Sequence, residues 1–302
     1  MSNVNYPEQS KPHEAFKVYK VLDCGFVRLV DCMPSPTDPH SISADAAIVQ
    51  AARVSYGQGT KSVSEDKSLI TYLIKHYHTS PLEMIEFKFH CRMPIFVARQ
   101  WIRHRTANVN EYSARYSEVQ DMSYLPEEFV IMGQGVSNKQ GSEGELNSNT
   151  KYEFIKSLES LSIKAYHEYK KALENGIARE TARMVLPVSY YTELYWKIDL
   201  HNLFHFIRLR NDSHAQYEIR VYAEAMYDIV KKIAPIASDA FESFVRNSVS
   251  VSSLEKECLR LIVNDGLKIE ESIEIISNKY NMTKRKAKEL KDIIENILIE
   301  NK

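Results

Sequence analysis

The sequence predicts an α+β fold, in which an antiparallel sheet is flanked by long helices and followed by an all-helical C-terminal extension. Apolar and polar side chains alternate over residues 85–93, which is typical of a long, half-buried strand. Residues 17–30 alternate similarly on both sides of a probable turn at 23–25, which favours two neighbouring strands. Elsewhere apolar residues recur at helical spacing, and after Asn247 only helical segments are predicted.

The other elements follow in chain order. Residues 1–15 are polar and contain two prolines, so we expect a loose leader, and residues 33–40, with three prolines, predict a loop. A further strand is predicted over 189–198, and the glycines between 133 and 144 indicate a flexible excursion. Helices are predicted from Pro94 onward and over 46–54, 67–77, 150–175, 178–184, 201–210, 213–233, 257–263, 269–280 and 285–299.

Local signals indicate where two of these helices begin or end. Thr150 and Glu153 have the spacing of a capping box, and Ser213 with Gln216 is interpreted as the cap of the helix that follows. Gly176 is expected to end the long helix over 150–175, because glycine commonly follows the last helical residue.

Three parts are expected along the chain: a leader at 1–15, a main domain at 16–247 and a helical extension at 248–302. The 302 residues are enough to bury a sizeable core, and 44% of them are hydrophobic, as in ordinary folded proteins. Tyr190, Tyr191, Tyr195 and Trp196 are predicted to belong to this core.

Charge and cysteine content limit the function classes. The chain has 39 basic and 40 acidic side chains, so wholesale binding to nucleic acid or to an anionic membrane is not expected, and any anion site must be local. The four cysteines form no CxxC pair, no signal peptide is evident and no apolar run reaches the roughly 18 residues of a membrane span. We therefore expect a cytoplasmic protein.

One stretch, residues 103–116, concentrates polar chemistry. It holds three arginines, a histidine, one carboxylate, two asparagines and two tyrosines. If the helix from Pro94 continued, Gln100, Arg103 and His104 would share a face, while Arg103 and Arg105 would point about 200° apart. The arginines then serve two anions on different sides, or the helix ends and the side chains splay. Either alternative favours a phosphorylated cofactor beside a phosphorylated substrate.

Common nucleotide-binding motifs do not account for this stretch. Gly57-Gln58-Gly59 and the similar run at 133–135 lack the third glycine of a dinucleotide fingerprint, and no phosphate-binding loop of the Gly-Lys-Ser/Thr kind occurs.

The stretch resembles the signature of the flavin-dependent thymidylate synthases. Arg103-His104-Arg105 is followed by seven residues and Ser113, with Asn110-Glu111 and Arg115-Tyr116 in place. The likeness covers roughly residues 15–240 and includes further segments at 45–56, 78–83, 94–101, 182–187 and 209–216.

This resemblance implies the reductive methylation of deoxyuridine monophosphate (dUMP) to deoxythymidine monophosphate (dTMP). Methylene-tetrahydrofolate would donate the carbon, and FAD reduced by NADPH would supply the hydride. The family is an α+β fold and usually a homotetramer whose sites are shared between subunits. Neither nucleic acid nor a membrane is expected as a partner.

The resemblance also implies roles for individual residues. Arg210 would be the catalytic cation that polarises the uracil ring, and Arg115 and Arg183 the main phosphate ligands. The dUMP-binding residues would be Gln100, Arg103, Glu111, Ser113, Arg115, Arg183 and Arg210. The FAD-binding residues would be His78, Ser80, Arg103, His104, Arg105, Glu111, Asp199, His201 and His205.

Metal binding and nucleophilic catalysis are less consistent with the residues of this sequence. His201-x-x-x-His205 has the spacing of a metal pair, but Asn202 replaces the glutamate of the zincin motif and no third ligand is evident, so no metal is predicted. Ser113 lacks the context of a nucleophile, and a substrate hydrogen bond is favoured. Cys91 is predicted on the apolar face of a strand.

Two competing functions remain. A nucleic-acid-binding protein would use the Arg-His-Arg segment and the basic run at 283–288 in the C-terminal helices. A flavin reductase would oxidise NADPH without methyl transfer.

Overall fold

The computed structural model describes residues 13–54, 63–135 and 141–299. The chain forms two compact units, and the boundary between them along the sequence lies between Arg246 and Asn247. Most of the predicted leader, the run at 57–59 and part of the glycine-rich excursion lie outside the described residues. No helix in the described ranges is both long and apolar enough to cross a membrane.

The first unit contains a five-stranded sheet, which confirms the predicted α+β class. Its strands are β1 (Val18–Val21), β2 (Gly25–Met33), β3 (Glu86–Pro94), β4 (Asn108–Glu111) and β5 (Tyr191–Asp199). The spatial order is β1-β2-β3-β5-β4, and every neighbouring pair is antiparallel. The hairpin at 22–24 and the long strand β3 were predicted; the short strand β4 was not.

The described residues of this unit form eight α-helices. They are α1 (Ala44–Arg53), α2 (Val63–Lys75), α3 (Ile95–Trp101), α4 (Ser148–Glu174), α5 (Arg179–Ala182), α6 (Leu200–Arg210), α7 (Tyr217–Ile233) and α8 (Pro235–Phe241). The predicted helices in the described part of the unit are confirmed to within a few residues, and the one predicted from Pro94 is α3, which ends at Trp101. Helix α8 was not predicted, although its proline occupies the first helical turn, where a missing N–H is tolerated.

The alternation of β3 explains the position of the core. Phe87, Phe89, Cys91 and Met93 are fully buried, whereas the intervening polar residues are half-buried. On the buried side, Trp101 of α3 packs against Trp196 of β5 at 5.3 Å and against Phe206 of α6 at 4.8 Å between ring centroids. These contacts join α3 and α6 to the sheet.

Several local predictions were wrong. Tyr190, Tyr191 and Trp196 are buried as expected, but Tyr195 is 42% exposed because it points to the other face of β5 and stacks on His90 there. The cap of α4 is Asn147, whose side chain accepts from the Asn149 N–H at 2.8 Å; Thr150 lies within the helix.

The cap predicted for the helix after 213 was also misplaced. Helix α7 begins at Tyr217, and its cap residue Gln216 makes no side-chain capping bond. Ser213 lies in the preceding turn, where its carbonyl accepts from Arg220 at 3.0 Å.

The second unit consists of α9 (Ser253–Asp265), α10 (Ile269–Lys279) and α11 (Lys284–Ile299), which confirms an all-helical C-terminal region. Cys258, Ile276 and Ile294 are fully buried at its centre. The carboxylate of Glu257 on α9 accepts hydrogen bonds from Lys279 at 2.6 Å and from Tyr280 at 2.9 Å. These bonds connect α9 to the end of α10 beside this small core.

Four helices of the described chain end with a residue in the left-handed conformation. At three of these ends the N–H of the next residue donates to the carbonyl five residues earlier, as in a Schellman motif; at the end of α9 the Leu267 N–H donates to Leu261, six residues earlier. Three of the left-handed residues are Gly176, Gly266 and Asn281, types that tolerate positive φ. The fourth is Tyr77, with φ +57°, where a side chain costs about 1–2 kcal/mol.

Gly25 at the start of β2 is expected to tolerate no side chain. A Cβ at this position would lie 2.0 Å from Oη of Tyr222 and 2.6 Å from the Val21 carbonyl oxygen. Overpacking of this kind typically destabilises a core, so Gly25→Ala should lower the free energy of unfolding by about 1–3 kcal/mol in urea denaturation. Tyr222→Phe removes the nearest atom, the hydroxyl oxygen of Tyr222. The double variant should therefore lose less free energy of unfolding than the sum of the losses of the two single variants. Strictly additive losses would contradict this account.

Candidate active site

Residues 103–116 begin where α3 ends. The last helical turn closes at Ile102, whose N–H donates to Ala98 at 2.9 Å, and the N–H of His104 donates to Trp101 at 3.0 Å in a turn. The chain then extends into β4, where Asn108 pairs with Lys197. The first alternative, in which the helix continues and Gln100, Arg103 and His104 share a face, is therefore wrong. The second alternative holds: the helix ends and the arginines splay.

Arg210 and His104 form the central polar contact. Nε of Arg210, at the end of α6, donates to Nε2 of His104 at 3.0 Å. The His104 ring packs edge-on against Phe206 at 4.9 Å and lies 6.0 Å from the ring of His205. Burial, with Arg210 and His205 nearby, lowers the pKa of His104 to about 4. The imidazole is therefore neutral at pH 7 and accepts at Nε2, and partial burial also lowers the pKa of Arg210.

His205 also borders an open cavity of about 200 Å³. Helix α6 contributes His201, His205 and Arg208 to its wall, and the end of α2 contributes Tyr77 and His78. Apolar side chains complete the lining, among them Leu73, Leu82, Phe204 and Phe241. Burial lowers the pKa of His205, and Arg208 and His201 act in the same direction. The structure thus brings His78, His201 and His205 together.

Arg208 and Tyr77 line this cavity but were not among the predicted site residues. His205 lies four residues after His201, and Arg208 lies three residues after His205. Residues at these spacings share a helical face, so the sequence did carry a signal for Arg208. No sequence signal marked Tyr77, because its exposure depends on how α2 ends.

Asp199 and Ser80, which were also predicted to bind FAD, do not line this cavity. Asp199 is the cap of α6: its carboxylate accepts from the Asn202 backbone N–H at 2.9 Å and from the Asn202 side chain at 2.7 Å. Asn202 also accepts from Thr106 at 2.8 Å, which ties the segment after Arg105 to α6. Ser80 is exposed in the turn that follows His78. A flavin role for Asp199 or Ser80 stays a prediction.

Gln100 lies at the last turn of α3. Its side-chain amide donates to the amide oxygen of Gln216, the residue before α7. Arg103 and Arg105 are both exposed on either side of His104. Together with Arg210 and His104 they form the first group of predicted site residues.

Glu111, Ser113, Arg115 and Arg183 form a second group. Glu111, at the end of β4, accepts from Thr192 at 2.8 Å. Arg115 makes an exposed ion pair with Glu180 at 3.3 Å, and its N–H donates to Ser113 at 3.3 Å. Arg183 is exposed in the short helical turn after α5. Within the described ranges, no hydrogen bond or ion pair joins this group to the first.

The described residues contain no group of three or more histidine, cysteine, aspartate or glutamate side chains placed to hold a metal ion.

Comparison with known proteins decides the family. The model for "Thymidylate synthase complementing protein" matches residues 39–236, which lie within the first unit and include both groups. A relative from Wolbachia pipientis wMel, named flavin-dependent thymidylate synthase, is 51% identical over 93% of this chain and 93% of its own length. The chain belongs to the flavin-dependent thymidylate synthase family. The resemblance seen in residues 103–116 is thereby confirmed.

Other members support the same conclusion. A flavin-dependent thymidylate synthase from Dictyostelium discoideum is 55% identical over 80% of this chain and 79% of its own length. Among solved structures, the UMP/dUMP methylase PolB from Streptomyces cacaoi, bound with 5-Br dUMP, matches with a TM-score of 0.66 and 33% identity. That match covers 76% of this chain and 100% of the methylase chain. The solved structure of that methylase holds a brominated uracil nucleotide.

The His104–Arg210 contact predicts a pH dependence of stability. The unfolded chain protonates this histidine near pH 6.5, whereas the folded chain resists protonation until about pH 4. Between these values the unfolded state binds more protons, so this contribution to the free energy of unfolding is lost as the pH falls from 6.5 towards 4. Urea denaturation should show the stability advantage of the native chain over His104→Gln shrinking from pH 7 to pH 5. An advantage that stays constant over this range would argue against a neutral, half-buried His104.

Proposed function

We propose that the chain methylates dUMP to dTMP reductively, with methylene-tetrahydrofolate as carbon donor and FAD reduced by NADPH as hydride source. The observation that carries this proposal is the Arg210–His104 contact of the signature segment, whose imidazole also lies 6.0 Å from the ring of His205 in a cavity lined by His78, His201 and His205. Family membership supports a flavin and a uracil nucleotide as ligands. The four cysteines are free, which supports the expected cytoplasmic location.

The cavity suits part of a flavin. Its walls combine apolar and aromatic side chains with imidazoles and the Arg208 guanidinium, which match a planar ring and an anionic phosphate. A volume of about 200 Å³ is smaller than the roughly 300–1,000 Å³ of sites that enclose a whole ligand. The cavity would therefore hold one ring system, and the exposed Arg103 and Arg105 are available for the pyrophosphate. When bound, the flavin supplies the hydride.

Arg210 is proposed to act on the uracil ring. Its Nε is occupied by His104, and its terminal nitrogens make no hydrogen bond to a described residue, so they remain for the ligand. A fixed guanidinium beside the ring stabilises the negative charge left when the N3 proton departs, and this enriches C5 for attack. His104 holds the guanidinium in place and excludes the side-chain rotation that an unanchored arginine would retain.

The second group supports a site shared between subunits. Arg115 and Arg183 are proposed to bind the phosphate, with Ser113 and Glu111 as hydrogen-bonding partners. Glu111, Arg115 and Arg183 are exposed and Ser113 is half-buried, and no hydrogen bond or ion pair joins these side chains to Arg210 in the described part of the chain. A nucleotide that contacts both groups would be held by one group from each of two copies, which supports the proposed homotetramer.

The nucleic-acid alternative receives less support from the basic run in α11. Arg285 is paired with Glu289 at 3.0 Å, and Lys291 with Glu270 at 2.9 Å and with Glu295 at 3.5 Å. Acidic residues therefore interrupt the basic surface of this helix.

The proposed reaction predicts that tritium is released from 5-tritiated dUMP in the presence of FAD, NADPH and methylene-tetrahydrofolate. Arg210→Ala should reduce the rate of release about 100- to 1,000-fold, as removal of a preorganised electrostatic group typically does. Arg285→Ala, which removes a surface arginine of the second unit, should leave the rate unchanged. Release should be accompanied by formation of dTMP.

Two outcomes would contradict the proposal. Absence of tritium release under fully reduced conditions would exclude methylation of dUMP. Bleaching of bound flavin by NADPH without release or dTMP would instead identify a flavin reductase.

Catalysis is also expected to survive Cys91→Ala. The Cys91 side chain is fully buried on β3, and burial raises the pKa of its thiol, so a thiolate nucleophile is not available. The variant should turn over dUMP at a rate close to that of the native chain, although removal of the buried sulfur lowers its thermal stability. Loss of turnover with dUMP binding intact would show that a cysteine takes part.

A further inference from the structure

We propose that Tyr77 is a ligand-contacting residue: its phenol ring forms one wall of the cavity and packs against a planar ring system of the bound flavin. This inference rests on the flavin dependence proposed above and assigns a contact to a residue outside the signature segments. Three observations carry it: the backbone conformation of Tyr77, the exposure of its ring and its place in the cavity wall.

The backbone conformation of Tyr77 is unfavourable for its residue type. Helix α2 ends in a Schellman motif, in which the His78 N–H donates to Leu73 at 2.9 Å and the Tyr77 N–H donates to Ile74 at 3.3 Å. Tyr77 occupies the left-handed position of this motif with φ +57°. At the other three helix ends with a left-handed residue, that residue is Gly176, Gly266 or Asn281, types that adopt positive φ more readily. The strain at Tyr77 is therefore peculiar to this helix end.

Packing within the chain does not compensate for this strain. Tyr77 is 69% exposed, and its side chain has neither a hydrogen bond nor an aromatic contact with a described residue. The neighbouring rings do pack: Tyr72 lies 4.4 Å from His76 and 5.5 Å from His78 between ring centroids. A tyrosine with strained backbone and unpartnered ring is more typical of a functional site than of a structural one.

The cavity indicates what Tyr77 contacts. Tyr77 and His78 line this cavity together, and His205 and Arg208 of α6 bound the same space. An aromatic ring stacks on the π-system of another planar ring, and Arg208 supplies positive charge for a phosphate attached to it. Both the isoalloxazine and the adenine of FAD have this chemistry, so the test must distinguish them.

The experiment compares three variants of the full-length chain. Tyr77→Phe keeps the ring, Tyr77→Ala removes the ring but keeps the strain, and Tyr77→Gly removes both. FAD and FMN affinities are measured by titration of flavin fluorescence, and the melting temperature of the flavin-free protein is measured separately. Asn281→Gly serves as the matched control, because it changes a left-handed helix end in the second unit.

We expect stability and affinity to change in opposite directions. Tyr77→Gly should raise the melting temperature by about 2–4 °C, because the strain is relieved. Tyr77→Gly and Tyr77→Ala should both weaken FAD binding about 3- to 10-fold, the range expected for a lost aromatic contact. Tyr77→Phe should bind FAD within about twofold of the native chain, and Asn281→Gly should leave the affinity unchanged. Equal losses for FAD and FMN would assign the contact to the isoalloxazine, and a loss for FAD alone to the adenine.

The possible failures are distinguishable. Native affinity for FAD in Tyr77→Gly and Tyr77→Ala would overturn the inference and leave the flavin-dependent function intact. A loss in Tyr77→Phe as large as in Tyr77→Ala would also overturn it, because the hydroxyl rather than the ring would then matter. A native chain that binds no flavin would contradict the proposed function itself.

Discussion

The packing of Trp101 against Trp196 and Phe206 is the interaction on which the candidate site depends. The three rings are buried with centroids 4.8 to 5.3 Å apart, and they join the end of α3 to β5 and α6. Trp101 is the last helical residue before the signature segment, and Phe206 lies in the last two turns of α6. The cluster therefore determines where the chain leaves α3 and where α6 ends, and so it brings His104 and Arg210 within hydrogen-bonding distance.

The choice of a neutral partner for Arg210 has an electrostatic consequence. Arg92 pairs with Glu193 at 2.7 Å and Arg115 with Glu180 at 3.3 Å, so their charges are largely compensated. Arg210 is instead anchored by an imidazole whose pKa is lowered to about 4, which orients the guanidinium without cancelling its charge. A cation that is positioned in advance and left uncompensated stabilises charge that develops on a ligand. The same burial that keeps His104 neutral thus preserves the field of Arg210.

Local pattern was enough to predict most of the fold. The alternation in β3, the hairpin at 22–24 and the spacing of the long helices depend on residues close in sequence, and the structure confirms them. The failures occurred where distant residues decide. Helix α3 stops at Trp101 because the chain beyond it pairs with β5 to form β4, and a strand of four exposed residues has no alternation to reveal it. Tyr195 was misassigned because an aromatic strand residue can face either side of a sheet.

For the site, the sequence by itself determined the family and the candidate residues, because the signature segment concentrates residue types whose chemistry is specific. Only the tertiary structure decided which of them act together. His78 follows the end of α2 and His205 lies on α6. The packing of α2 on α8, together with the stacking of Phe204 of α6 on Phe241 of α8 at 4.2 Å, places both histidines on one cavity. The same packing exposes Tyr77 there, in a conformation set by the end of α2. The sequence shows which residue types are present and how they are spaced along the chain. The distances between side chains and their burial, which set their pKa values and their contacts, arise only when the helices and strands pack together.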